Sequence, residues 1–410
     1  MTLRSYVLSR ILLTIPMIFI LLTMVFVVVR VLPGDPVLLH FEKTENLEAI
    51  KRLRQELGLD KPLWQQYSDY VIELFKGDLG KSMQDYSPVN EQIFSAFPAT
   101  LELAIFSMII AVSIGIFLGV EASKAYNKPQ DHAIRLFGIV SYAIPVFFLG
   151  IMLQLIFGVT LGWLPVGART YPTMEPVGLI IPLSPLPGGF VTHLALSSLA
   201  GLCLSAILLT ITKTKHRRLS NRGKIATLIL FILGWALWAG LGWHYMSIGE
   251  LRISTGLFTV DSILEGNVLK LAQALRYILL PSLTLGLVLS GVFIRLTRSN
   301  MFETLRLDFT TAARARGLKE STVTYGYALR NAFLPVLTMM GLQFAALLGG
   351  AVLTETTFSW PGLGRYIVDR ISFRDYTAIQ GAVVVFGIFV SVVSLAVDLL
   401  YAYLDPRIRL

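Results

Sequence analysis

Cysteine is almost missing from this 410-residue chain. Cys203 stands alone, so no intrachain disulfide and no cysteine-built metal site can form. Charge is scarce as well: Asp, Glu, Lys and Arg make up 15% of residues against 54% hydrophobic ones. The mean hydropathy is +0.67. That balance lies outside the soluble range and places the chain in lipid. Neither a glycine-rich dinucleotide fingerprint nor a zinc-binding HExxH helix is present. Gly80-Lys81-Ser82 resembles the tail of a phosphate-binding loop, but the first glycine of such a loop would fall on Phe75. An intrinsic enzyme activity has no motif to rest on.

What the chain does have is long apolar runs. Eight are long enough to span a bilayer, at about 10–31, 99–122, 134–162, 194–212, 225–247, 276–297, 333–354 and 379–402. The stretch from Ile11 to about Val31 is longer than a signal-peptide core and runs into Leu32-Pro33-Gly34-Asp35-Pro36, which predicts a retained first span. The net charge of +9 sits in short loops between runs. Lys213, Lys215, Arg217, Arg218, Arg222 and Lys224 crowd one loop, and basic residues outnumber acids across 298–332. The positive-inside rule accounts for these clusters without a nucleic-acid partner, and it predicts that both termini face the cytoplasm. Ionisable residues within the spans are few, chiefly Glu102, Glu121, Arg295 and Asp398 near their ends, which counts against an ion- or proton-coupled carrier.

Between the first two runs, residues 35–95 mix acids and bases. Leu47, Ile50, Leu53 and Leu57 form one helical apolar face; Leu63, Tyr67, Tyr70, Val71 and Leu74 form another. Gly58 and Pro62 separate the two, so the spacing predicts a small external cap of two amphipathic helices. Gly115 with Gly119 and Gly158 with Gly162 are small-xxx-small pairs that permit close helix approach.

The most informative stretch is Asp308-Phe309-Thr310-Thr311-Ala312-Ala313-Arg314-Ala315-Arg316-Gly317, followed by Tyr327-Ala328-Leu329-Arg330-Asn331-Ala332-Phe333-Leu334-Pro335. It reads as a short Ala-rich helix closed by a glycine suited to positive φ, then a second helix leading to a proline. Small residues let a helix sit deep in a partner's cleft, and the arginines offer ion pairs to that partner's acids.

This segment resembles the coupling loop of ABC importer permeases of the dipeptide/oligopeptide family. Leu57-Gly58-Leu59-Asp60-Lys61-Pro62-Leu63, Gly77-Asp78-Leu79-Gly80-Lys81-Ser82 and Phe97-Pro98-Ala99-Thr100-Leu101-Glu102-Leu103 are similar to the first half of such permeases. Gly162-Trp163-Leu164-Pro165-Val166-Gly167, the block Thr354 to Arg365 and the tail Asp405-Pro406-Arg407-Ile408-Arg409 read the same way. Thr311 departs from the broad family, which often has an acid there. The long segment after span one is similar to the first of the two permeases.

The resemblance implies an all-α polytopic membrane protein with a six-helix permease core; residues 168–275 fall outside the resemblance, and their apolar runs add two extra predicted transmembrane helices to the core and the small external helical cap. Its parts would be a first span (1–34), the cap (35–95), spans two and three (96–167), an insert with the extra spans (168–275) and a final core part (276–410) with coupling loop 298–332. It also implies a prokaryotic cell membrane, a second permease subunit, two ATPase subunits that hold ATP-Mg and an extracytoplasmic solute-binding protein; this chain itself would bind no cofactor. ATPase coupling would fall to Asp308, Thr311, Ala312, Ala313, Arg314, Ala315, Arg316, Gly317, Asn331 and Pro335. External partner contact would fall to Trp360, as an exposed aromatic in a tight turn, and to Arg365, Arg370 and Arg374. The solute class implied is short peptides, with nickel, glutathione or oligosaccharides as alternatives.

Overall fold

A computed structural model describes residues 3–31, 60–169, 179–182, 250–253 and 255–404. The first cap helix (Leu47 to Leu57), the apolar runs 194–212 and 225–247 with Cys203, and the tail after residue 404 lie outside the described residues.

The described chain is helical apart from one short antiparallel ribbon. In order it forms α1 (Leu3–Val31), α2 (Leu63–Phe75), α3 (Val89–Lys124), α4 (Pro129–Ala143) and α5 (Val146–Leu153), which continues as a π-helix over Gln154–Thr160. Strands β1 (Leu179–Pro182) and β2 (Glu250–Ile253) follow, paired from Leu179 opposite Ile253 to Pro182 opposite Glu250. Then come α6 (Phe258–Leu264), α7 (Val268–Thr304), α8 (Asp308–Ala315), a π-helix over Thr322–Ala328 that runs directly into α9 (Leu329–Gly350), α10 (Val352–Thr357), α11 (Leu363–Ser372) and α12 (Tyr376–Leu404). The chain divides into two compact units, 1–173 with 272–410, and 174–271. In the smaller unit the Asp261 carboxylate accepts from Thr255 Oγ1 at 2.7 Å and from the Thr255 and Gly256 amides, which fixes the start of α6.

Among the described residues, four helical segments are long and apolar enough to cross a membrane: Val89–Lys124, Val268–Thr304, Thr322–Leu348 and Tyr376–Val397. The pair α4 and α5 adds a fifth if taken as one span, and α1 contributes the shorter apolar stretch Leu12–Val28. The chain is therefore a multi-pass membrane protein.

The expected straight span 134–162 is instead broken by a 101° bend. Ile144, the residue before Pro145, takes an extended conformation with ψ 128. A proline ring disfavours helical geometry in its predecessor, which sets the break at that residue.

Glycines explain how the long helices meet. A Cβ on Gly115 would collide with Phe293, and one on Gly119 would press on Thr297 at 2.6 Å. The pair thus lets α3 lie backbone-close on α7. Around this seam Ala99, Leu103, Ala104, Met108 and Ala111 of α3 pack with Ile278, Leu285 and Phe293 of α7 and with Val336, Leu347 and Leu348 of α9. On the other side α12 joins α1 through Val384 against Leu22 and Val25.

Helix α2, the second of the expected cap helices, lies along α1. Tyr67 hydroxyl is 2.7 Å from Thr23 Oγ1, and the Tyr67 and Tyr70 rings stand 5.3 and 5.8 Å from Phe26. Tyr70 and Leu74 fall on the packed face as the periodicity predicts. Leu63 does not: it is exposed, and Gln66 takes the buried place, donating to the Lys61 carbonyl at 2.7 Å.

Candidate functional site: a short exposed helix and a clasp

At one end of the molecule, α7 stops at Thr304 and the chain turns through Leu305–Leu307 into α8. Thr310 is fully buried and donates from Oγ1 to the Leu307 and Leu305 carbonyls at 2.6 and 2.9 Å. Ala313, on the same face, is buried too, beside the π-helix whose Val323 and Ala328 are also buried. Asp308 stands in the first turn, where its charge suits the helix N-terminus.

The far end of α8 closes as the sequence implies. Gly317 has φ +76, its N–H donates to the Arg314 carbonyl at 2.9 Å, and Leu318 N–H reaches the Ala313 carbonyl at 3.4 Å. These two bonds form a Schellman motif, and the positive φ is what selects glycine. Arg314 pairs with Glu320 at 2.9 Å and also reaches the Leu305 carbonyl at 3.3 Å. The Arg314 hydrogen bond holds the Glu320 carboxyl below its ordinary range and raises the guanidinium's own pKa.

One face of α8 is thus fastened to its own chain, and the other is free. Asp308, Thr311, Ala312, Ala315, Arg316 and Gly317 are exposed, as are three apolar residues that the sequence reading did not single out, Leu307, Phe309 and Leu318. Phe309, Ala312 and Arg316 share one side by their spacing. Ala313 departs from expectation, because it faces inward and not toward a partner. Pro335 lies inside the helical segment that runs from Thr322 to Leu348. Asn331 Nδ2 donates back to the Tyr327 carbonyl at 3.0 Å, steadying the change from π- to α-helix.

The opposite end is a clasp of buried polar groups. Trp360 is 1% exposed and donates its indole N–H to the Ala99 carbonyl at 2.8 Å. This overturns the reading of Trp360 as an exposed aromatic; a buried indole needs an acceptor, and α3 supplies one. Beside it, Arg169 pairs with Glu102 at 2.6 Å, both buried, with the guanidinium 5.7 Å from the Trp360 ring centre. Glu355, fully buried, accepts from Thr100 Oγ1 at 2.6 Å and from the Arg365 amide at 3.0 Å. Leu363 N–H in turn donates to Thr100 Oγ1 at 2.7 Å, so the start of α11 is capped from α3.

Arg370 turns inward as well, donating to Gln84 Oε1 at 2.8 Å, Ser82 Oγ at 3.2 Å and Asp85 at 3.2 Å. Asp375 completes this net by accepting from Ser82 Oγ at 2.6 Å and the Met83 amide at 3.1 Å. Tyr366 donates to Gln92 at 2.7 Å, and burial pushes its phenol up to about 12. Of the four residues expected to meet an external partner, Arg374 is exposed, with φ +54, and Arg365 is half-exposed, 3.8 Å from Asp369. Ile371 and Phe373 are exposed next to them.

Two family models match the chain: the inner membrane component of binding-protein-dependent transport systems over residues 111–410, and the N-terminal part of such a membrane component over residues 3–104. The chain belongs to this family of transport permeases. It is 33% identical to the dipeptide transport system permease DppB of Alkalihalophilus pseudofirmus over 405 residues, 99% of each chain. It is equally similar to DppB of Escherichia coli K12, covering 98% of that protein, and to the glutathione transport system permease GsiC of Salmonella typhimurium, covering 99%. The permease is a transport component, not an enzyme. Among its described residues no group of His, Cys, Asp and Glu is arranged to hold a metal ion.

Proposed function

We propose that this permease is one of two membrane subunits of an ATP-driven importer of short peptides. The observation that carries the reading is α8, a helix of 8 residues, too short to cross a membrane at about 1.5 Å per residue and fastened on one face only. Its free face joins apolar Phe309 and Leu318 to small Ala312 and Ala315 and cationic Arg316, which suits a cleft with acidic rims. The occupant of choice is an ATPase subunit, whose closure on ATP-Mg would tilt the spans by rigid-body switching. Basic loops near this end support a cytoplasmic placement for it and for both termini. Arg365, Arg374, Ile371 and Phe373 at the other end then face an extracytoplasmic binding protein.

Peptides are favoured as solute because dipeptide permeases and a permease for glutathione, itself a small peptide, match at the same identity over nearly the whole chain. Runs 194–212 and 225–247 supply two further spans in this reading. The test is uptake into liposomes that hold the complete complex. ATP-dependent uptake of labelled dipeptide, competed by other di- and tripeptides, is the expected result. Uptake confined to nickel or oligosaccharides would overturn the peptide assignment.

A further inference from the structure

Beside the docking helix, the last turns of α7 grip the turn between α3 and α4. Arg298 forks onto Asp131, with Nε–Oδ1 at 2.6 Å and Nη2–Oδ2 at 2.7 Å. Asp131 is fully buried and accepts a third bond from the Asn127 amide at 3.0 Å. One helical turn further along α7, the Phe302 ring stacks on Tyr126 with centroids 4.0 Å apart and planes 19° apart. A turn beyond that, the Arg306 guanidinium lies 3.8 Å from the Phe302 ring centre, and Arg298 covers Tyr126 at 5.3 Å. Residues 298 and 302 share one face of α7 by their spacing of four, and Arg306, in the turn past the helix end, reaches back to within 6.0 Å of the Tyr126 ring centre. All three therefore brace the same turn, and α8 begins two residues after Arg306.

We propose that Asp131 and Arg298 are positioning residues for transport, making α4 move together with the α7 end that carries the docking helix. The inference rests on the coupling role given to α8 above. A displacement of α8 has two ways into the membrane part: through Ala313 and the π-helix into α9, and through Leu305–Leu307 into α7. The second reaches the start of α4 across this brace and the rest of α4, further in, across the close contacts of Gly291 with Gly138 and of Ile294 with Ile134. A bidentate Arg–carboxylate pair fixes direction as well as distance, which a lysine or a neutral amide cannot reproduce. Because the carboxylate is buried, its bonds are not readily replaced by water. Without the pair the ATPases still close and hydrolyse, but the start of α4 is no longer held in register with the end of α7.

The test measures solute taken up per ATP hydrolysed by the reconstituted full complex. Asp131→Asn and Arg298→Lys are expected to keep binding-protein-stimulated hydrolysis, while uptake per ATP falls by about tenfold, the scale of coupling lost when one partner of a tight pair is replaced. Exchanging the two, Asp131→Arg with Arg298→Asp, should recover a large part of that loss. The proposal is overturned if assembled Arg298→Lys or Asp131→Asn complexes transport with the original stoichiometry. It is equally overturned if hydrolysis and uptake fall in parallel, since the pair would then act only on folding or on the motor. Should Asp131→Asn fail to assemble, Arg298→Lys and the exchanged pair decide. Phe309→Ala, run alongside, separates the two readings: unchanged stimulated hydrolysis in that variant would remove the coupling role of α8 itself.

Discussion

The two ends of this permease solve opposite problems with similar residues. At the α8 end, an arginine and an aromatic stand in the open: Arg316 and Phe309 flank small alanines on a helix held from one side. At the clasp end the same residue types are consumed internally, with Trp360 on the Ala99 carbonyl, Arg169 on Glu102, and Arg370 on Ser82, Gln84 and Asp85. The difference teaches that a cation beside an aromatic does not by itself mark a partner surface. What distinguishes the two ends is whether a distant part of the chain already satisfies the polar groups. Charges satisfied internally stabilise the fold, and charges left in water are available for binding.

Substitutions can break this contrast, and the largest effect belongs to the clasp. Trp360→Ala empties a fully buried site and leaves the Ala99 carbonyl without its indole donor. A loss of about 3–5 kcal/mol is expected, read as a lowered thermal transition of the purified complex. A transition left in place, with only binding-protein affinity reduced, would return Trp360 to the partner surface.

Next come two alanines one residue apart. Ala313→Trp overpacks a buried position and should cost about 1–3 kcal/mol of local stability, showing as faster proteolysis within 305–321. Ala312→Trp, on the free face, should leave proteolysis unchanged and abolish binding-protein-stimulated hydrolysis. Equal behaviour of the two variants would mean that α8 has no free face.

The smallest effect is assigned to Arg314→Ala. Its pair with Glu320 is exposed, with side chains 40% and 63% accessible, and exposed pairs contribute about 0–1 kcal/mol. Stability and transport should both stay near the unsubstituted level, and a severe transport defect would place Arg314 with Arg316 among the partner contacts.

Local features were legible in the sequence. Gly317 announces its positive φ by closing an Ala-rich helix, and the spacing of Gly115 and Gly119 announces a close helix contact. The polar side chains of the clasp were not legible, because their partners lie far away in sequence: Trp360 to Ala99, Arg370 to Ser82, Glu355 to Thr100. Exposure read from a local turn cannot anticipate an acceptor that arrives from another helix. The bend at Ile144–Pro145 is an intermediate case. Pro145 stands inside an apolar run of spanning length, so hydropathy alone shows one span where the backbone makes a break. Likewise Ala313 and Ala312 are chemically identical, and only the packing of α8 against the π-helix tells which one is turned inward.

The glycine seam between α3 and α7 has a mechanical meaning. Close approach runs along α3 from Ser107 and Ile110, which lie against Gly286 of α7, to Gly115 and Gly119, which lie against Phe293 and Thr297. That stretch is about 18 Å long at 1.5 Å per residue. Two rods touching at one point can pivot on each other, but two rods seated along such a length cannot. Helices α3 and α7 therefore act as one stiff strut, and a tilt imposed on the end of α7 is passed to Glu102, and to the Arg169 bonded to it, without slack.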